Sequence, residues 1–138
     1  MKLTSLATDN ITEVLVKVIQ FTRTRQKLLA RNINNVRTGG FVPRDLPVAE
    51  FCAVLHHALE QHIANRWLVL CDTKYIKFGF AGKLDLKPVI DVLAEKLLRD
   101  DPDCYLEFEL NKLFENTLNQ RIAAELLKQK RNMISIFE

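Results

Sequence analysis

The sequence predicts an all-α-dominated chain. Two long terminal helices pack as a coiled-coil-like pair, and a small irregular middle carries short helices and a possible β-hairpin. Residues 9–36 and 105–137 each run without Gly or Pro and repeat apolar residues at three- and four-residue steps. The segment between them holds the Gly and Pro residues that punctuate turns. At 138 residues the chain fits a single domain: an N-terminal helix over 9–36, a middle over 37–104 and a C-terminal helix over 105–137.

In the first helix Thr8 or Asp9 is the expected cap. Ile11, Val14, Val18, Phe21 and Leu28 form one stripe, with Arg25 filling its gap, and Leu15, Ile19, Leu29, Ile33 and Val36 form a second beside it. A face this wide exceeds a two-stranded seam and asks for more than one neighbour. Gly39-Gly40 ends the helix, and Pro43 and Pro47 keep the following stretch extended or turned.

Residues 47–64 read as a shorter helix with Val48, Phe51, Cys52, Leu55, Leu59 and Ile63 on one face. Trp67–Cys71 is a compact apolar run, and Trp67 and Phe78 read as core aromatics. Ile76, Phe78 and Phe80 alternate as a short strand, with Gly79 and Gly82 marking a turn. Pro88 is expected to open a third helix over 88–99, with Val89, Val92, Leu93 and Leu97 inward. Asp100–Asp103 reads as an acidic loop. In the last helix Leu110, Leu113, Ala124, Leu127 and Ile134 share a seam, and Phe114, Leu118, Ile122 and Leu126 run beside it at i+4 steps. Each long helix would extend about 40–50 Å, and a chain this size has little left to cover both apolar faces. Pairing with each other and then with further copies is the economical solution.

Composition narrows the functional classes. The apolar fraction is 48% and the charged fraction 27%, which argues against bulk disorder. No window has the length and apolarity of a membrane span, and residues 1–10 lack the apolar core of a cleaved signal peptide. Cys52, Cys71 and Cys104 have no CxxC or zinc spacing and read as reduced, at least partly buried thiols. His56, His57 and His62 lie on or near one helix without an HExxH pattern. No nucleophile elbow, P-loop or dinucleotide fingerprint occurs, so neither a catalytic set nor a cofactor is expected.

Net charge is only +3, yet Arg23, Arg25, Lys27, Arg31 and Arg37 cluster with no acid among residues 14–44. Such a cluster suits phosphate backbones, which makes a cytoplasmic helical nucleic-acid-binding protein the alternative reading. It equally suits pairing with residues 100–103, Glu107 or Glu109 of the same or a neighbouring chain.

The exit of the first helix reads Ala30-Arg31-Asn32-Ile33-Asn34-Asn35-Val36-Arg37-Thr38-Gly39-Gly40-Phe41-Val42-Pro43-Arg44-Asp45. It resembles the A-x-N-[IL]-A-N-x-x-T-P-G-[YF] signature of bacterial flagellar rod and hook proteins. The trailing Arg44-Asp45 is most similar to the proximal rod subunit. Residues 23–29, Cys71–Ile76 and Leu106–Leu118 resemble further motifs of that family in the expected order, whereas residues 77–104 carry none of it. Gly39 and Thr73 replace family Pro residues, Tyr75 a His, and Arg31 and Asn34 small Ala residues.

This resemblance implies a structural, non-catalytic subunit exported unfolded through the flagellar type III apparatus without a cleaved signal. It further implies polymerisation in the periplasmic rod of the basal body. The implied partners are other copies, other rod proteins and the rod-junction or export-gate proteins, with neither nucleic acid nor membrane insertion. The expected turn residues are Asn32, Asn35, Thr38, Gly40, Phe41, Arg44 and Asp45, and the expected assembly seam is Leu28, Leu29, Ile33, Leu113, Leu118 and Leu127. Asn suits a helix terminus because its amide bonds local backbone, and Gly40 permits a positive φ where the chain reverses. The apolar stripes are expected to become fully ordered only on association, at a cost of about 2–5 kcal/mol.

Overall fold

A computed structural model describes residues 3–79 and 82–137. Two long helices, α1 (Leu3–Asn34) and α4 (Pro102–Phe137), pack antiparallel. Between them in sequence lie β1 (Arg44–Asp45), α2 (Val48–Asn65), β2 (Ile76–Phe78), β3 (Leu84–Leu86), β4 (Val89–Ile90) and α3 (Val92–Asp100). The strands form two antiparallel ribbons, β1 with β4 and β2 with β3.

α1 differs from the expected 9–36. It begins earlier, so Thr8 and Asp9 lie within the helix, and it closes at Asn34. Closure is local: Asn35 Nδ2 donates to the Arg31 carbonyl at 2.8 Å and Thr38 Oγ1 donates to Asn35 Oδ1 at 3.0 Å. These bonds draw the chain into a turn that Gly40 completes at φ 77°.

α1 packs the middle on one side and α4 on another. On the first side Phe21 and Phe51 stack with ring centroids 4.0 Å apart, and Leu46 and Ile76 complete the cluster. Phe78 packs against this core as expected, together with Leu28, Val48 and Leu55. The β2–β3 hairpin confirms the strand reading. Gly82 turns at φ 76°, and its carbonyl accepts from Lys17 Nζ at 3.1 Å and Gln20 Nε2 at 3.0 Å. Phe80, expected on that strand, lies outside the described residues.

Several expectations are corrected. Pro88 does not open a helix: Val89 and Ile90 pair with β1, and α3 starts after Asp91, whose carboxylate accepts from Ala94 N–H at 3.1 Å. Within α3, Ala94 is buried while Val92 and Leu93 are exposed. The acidic loop shrinks to Asp101, which caps α4 by accepting from Cys104 N–H at 3.2 Å, with Pro102 at the first helical position. Trp67 is not a core aromatic but 73% exposed, following the left-handed turn at Arg66 (φ 59°) that ends α2. Leu59 and Ile63, placed on the inward face of α2, are exposed as well.

Candidate functional site

The exit of α1, the β1–β4 ribbon and the first turns of α4 meet at a buried polar node. Asn32 is its pivot, with no exposed surface. Its Nδ2 donates to the Arg44 carbonyl at 2.8 Å and to Glu109 Oε2 at 3.1 Å. Its Oδ1 accepts from Arg44 N–H at 3.4 Å, and its carbonyl accepts from the Tyr105 hydroxyl at 2.8 Å. One side chain thus fixes the angle at which the chain leaves α1 and joins that exit to α4.

The charges of the node converge on Asp45. Arg25 donates to both of its oxygens, at 2.8 and 2.9 Å. Lys112 Nζ lies 3.4 Å from Asp45, 2.7 Å from Asp91 and 2.9 Å from Glu109. The last contact is near enough for an ion pair but off-axis for a hydrogen bond, which leaves Glu109 Oε1 without one. Burial pushes the Asp45 carboxyl up, but the Arg25 hydrogen bonds and the Arg25 and Lys112 charges outweigh it and hold it below its ordinary value. Burial likewise lowers Arg25 and Lys112, and their carboxylate partners reverse the shift and raise both. Burial, then the charges of Glu109 and Asp91, raise the Tyr105 hydroxyl and keep it a donor. Every group named is spent on another part of the same chain, so the node acts as a lock for the exit geometry.

The turn residues gather here in part. Asn32, Arg44 and Asp45 belong to the node, whereas Asn35, Thr38 and Gly40 form the turn beyond it. Phe41, half-buried, lines an open groove of about 430 Å³ with Val36, Leu98, Arg37, Glu95 and Arg99. Sequence reasoning missed Asp91, Tyr105 and Lys112, and named Glu109 only as a possible partner of the basic cluster. A signal existed in the polar residues at 105, 109, 112 and 116, which keep a four-three-four spacing between apolar neighbours.

That line is the face α4 turns to α1. Tyr105, Glu109, Asn116, Ala123 and Leu127 are buried, and Asn116 Nδ2 donates to the Thr22 carbonyl at 2.7 Å. The seam residues therefore divide. Leu29 and Leu127 are buried within the chain, Leu28, Ile33 and Leu113 are half-buried, and Leu118 is 52% exposed. Leu110, Phe114, Ile122 and Leu126 are exposed beside Leu118 and form an apolar line on the outer side of α4 about 24 Å long. Leu110 thus leaves the inward seam expected for it, as does the exposed Ala124. The Ile134 side chain lies outside the described residues.

The basic cluster divides too. Arg25 is consumed by Asp45, while Arg23, Lys27, Arg31 and Arg37 are exposed and form no ion pair among the described residues. Of the alternatives for this cluster, pairing with residues 100–103, Glu107 or Glu109 of the same chain is not formed among the described residues. The cysteines correct another expectation: Cys52, Cys71 and Cys104 are all free and exposed. A hydrogen bond with Asp101, and its charge, push the Cys104 thiol above its ordinary value, which lowers its thiolate fraction. His56 pairs with Glu60 at 3.0 Å and His62 Nδ1 accepts from Asn10 at 3.2 Å.

Comparison with models of known protein families, with characterised proteins and with solved structures finds no match to this chain.

Proposed function

We propose that this chain is a structural subunit of the bacterial flagellar basal-body rod, most like the proximal type, and that it assembles by docking copies on the outer side of α4. The observation that carries the reading is the apolar line Leu110, Phe114, Leu118, Ile122 and Leu126, exposed on a helix whose opposite side already packs α1. A contiguous apolar strip rimmed by polar residues is the ordinary mark of a protein contact. The signature resemblance over residues 30–45 supports the flagellar assignment, because Asn32 and Asp45 both carry the exit lock. On this reading the lock holds each subunit's exit turn in one orientation, as a repeating assembly requires. The subunit works in the periplasmic rod, without catalysis or cofactor, among other rod proteins and the rod-junction or export-gate proteins.

The test is mass spectrometry of hook–basal bodies purified from cells that make this protein, after a stringent salt wash. The expected result is recovery at a stoichiometry comparable to known rod subunits. Absence from the basal body, with the protein recovered in the cytoplasm, would overturn the reading.

A further inference from the structure

The exposed line on α4 leaves open which surface of a neighbour covers it. The charges on the two helices give an answer. On α1, Arg23, Lys27 and Arg31 recur every four residues and are exposed. They lie about 180° around the helix from Thr22, Arg25, Leu29 and Asn32, which face α4. On α4, Glu107, Asn111 and Glu115 recur every four residues and are exposed. Glu107 lies beside Leu110 and Phe114 on the outer side, while Glu115, near enough to Arg25 to act on its charge, stands on the flank between that side and α1. The cross-helix bonds fix the register. Asn32 meets Tyr105 and Thr22 meets Asn116, so Arg31 stands level with Glu107, Lys27 with Asn111 and Arg23 with Glu115. The helix pair therefore carries a basic row on one outer side and, at the same height on the other, an apolar line with Glu107 beside it and Glu115 on its flank.

We propose that the occupant of the α4 outer side is the α1 outer side of a second copy, displaced sideways without change of height. Arg23 of one copy then meets Glu115 of the next, and Arg31 meets Glu107. The aliphatic stems of Lys27 and its neighbours cover Leu110 and Phe114, while their charged heads reach the carboxylates. A cation over the Phe114 ring adds to the contact. The contact is heterologous: each copy offers a different surface on each side, so repetition at constant height gives a ring or an open row rather than a closed pair. This inference rests on the self-assembly proposed above and adds the partner surface and the polarity.

The experiment is sedimentation velocity on the full chain with two charge-reversed variants. In one, Arg23, Lys27 and Arg31 become Glu; in the other, Glu107 and Glu115 become Lys. All these side chains are exposed, so both variants should melt close to wild type. Each alone places like charges across the contact, and its association should weaken by about 100-fold or more. Mixed in equal amounts, the two variants should co-assemble, because each supplies the surface the other has lost. Wild-type association by the Arg23/Lys27/Arg31 variant alone would overturn this inference while leaving self-assembly standing. A wild-type chain that stays monomeric at all concentrations would overturn both. So would one that instead binds duplex DNA with an affinity falling steeply with salt, and that result would favour nucleic-acid recognition by the basic row.

Discussion

Asn32 and Asp45 show how few residues set the exit geometry. Asn32→Ala removes the amide that satisfies both the Arg44 carbonyl and buried Glu109. The expected loss is about 2–3 kcal/mol in chemical denaturation, because the groups left behind stay buried. Arg25→Met leaves Asp45 with the Leu46 N–H at 2.7 Å and, among the described residues, one cation, the more distant Lys112. It should cost about 3–5 kcal/mol, the usual consequence of breaking a buried pair from one side. The pH dependence follows from the shifts. Asp45 is lowered from 3.8, so its stabilisation is fully present above that value and is lost as pH falls through the lower native value. Lys112 is raised from 10.5, so its stabilisation is present below that value and is lost as pH rises through the higher native value. Thermal melting should show a plateau between these limits, and Arg25→Met should shrink its acid-side fall without abolishing it, because Lys112 still lowers Asp45 and Asp101 is lowered independently. Gly40→Ala puts a Cβ into open space but at φ 77°, so only backbone strain opposes it, about 1 kcal/mol.

At the scale of elements, α4 is where sequence reading and structure diverge most. The helix itself is legible, since an uninterrupted apolar period without Gly or Pro admits little else. Its orientation is not, because two lines compete for the inside. The apolar line at 110, 114, 118, 122 and 126 looks inward by hydrophobicity alone. The line at 105, 109, 112, 116 and 123 looks outward because Glu, Lys and Asn populate it, yet it packs α1. Its polar side chains reach Asn32, Thr22, Asp45 and Asp91, and those pairings join residues up to 94 positions apart. The four-three-four spacing of 105, 109, 112 and 116 marks the line, but no local period reveals which partners lie that far away. Gly40 and the β2–β3 hairpin were legible because their signals are local. The start of α3 was not, because pairing of Val89 and Ile90 with Arg44 and Asp45 outweighs the helix-opening preference of Pro88. The exposed thiols follow the same rule: Cys52 sits between buried Phe51 and Val54 on α2 but on the other face of the helix.

For the whole molecule, two long helices locked at one end by charge present unlike outer surfaces on opposite sides. An interface formed by basic and acidic rows around an apolar centre should weaken as salt screens the rows, without disappearing, since the apolar centre is not screened. Sedimentation across a salt series should therefore show association falling and then levelling. Nucleic-acid binding through the same basic row would fall without a plateau. On the proposed reading, the outer side of α4 is an assembly surface and contributes little to the fold of the single chain. Sedimentation velocity of the wild type beside Leu118→Asp, with melting measured on both, tests it most directly. The wild type should assemble in a concentration-dependent way, and the variant should melt within about 0.5 kcal/mol of it yet stay monomeric, because Leu118 is 52% exposed in the single chain. A Leu118→Asp chain that assembles as the wild type does would remove the outer side of α4 as the assembly surface.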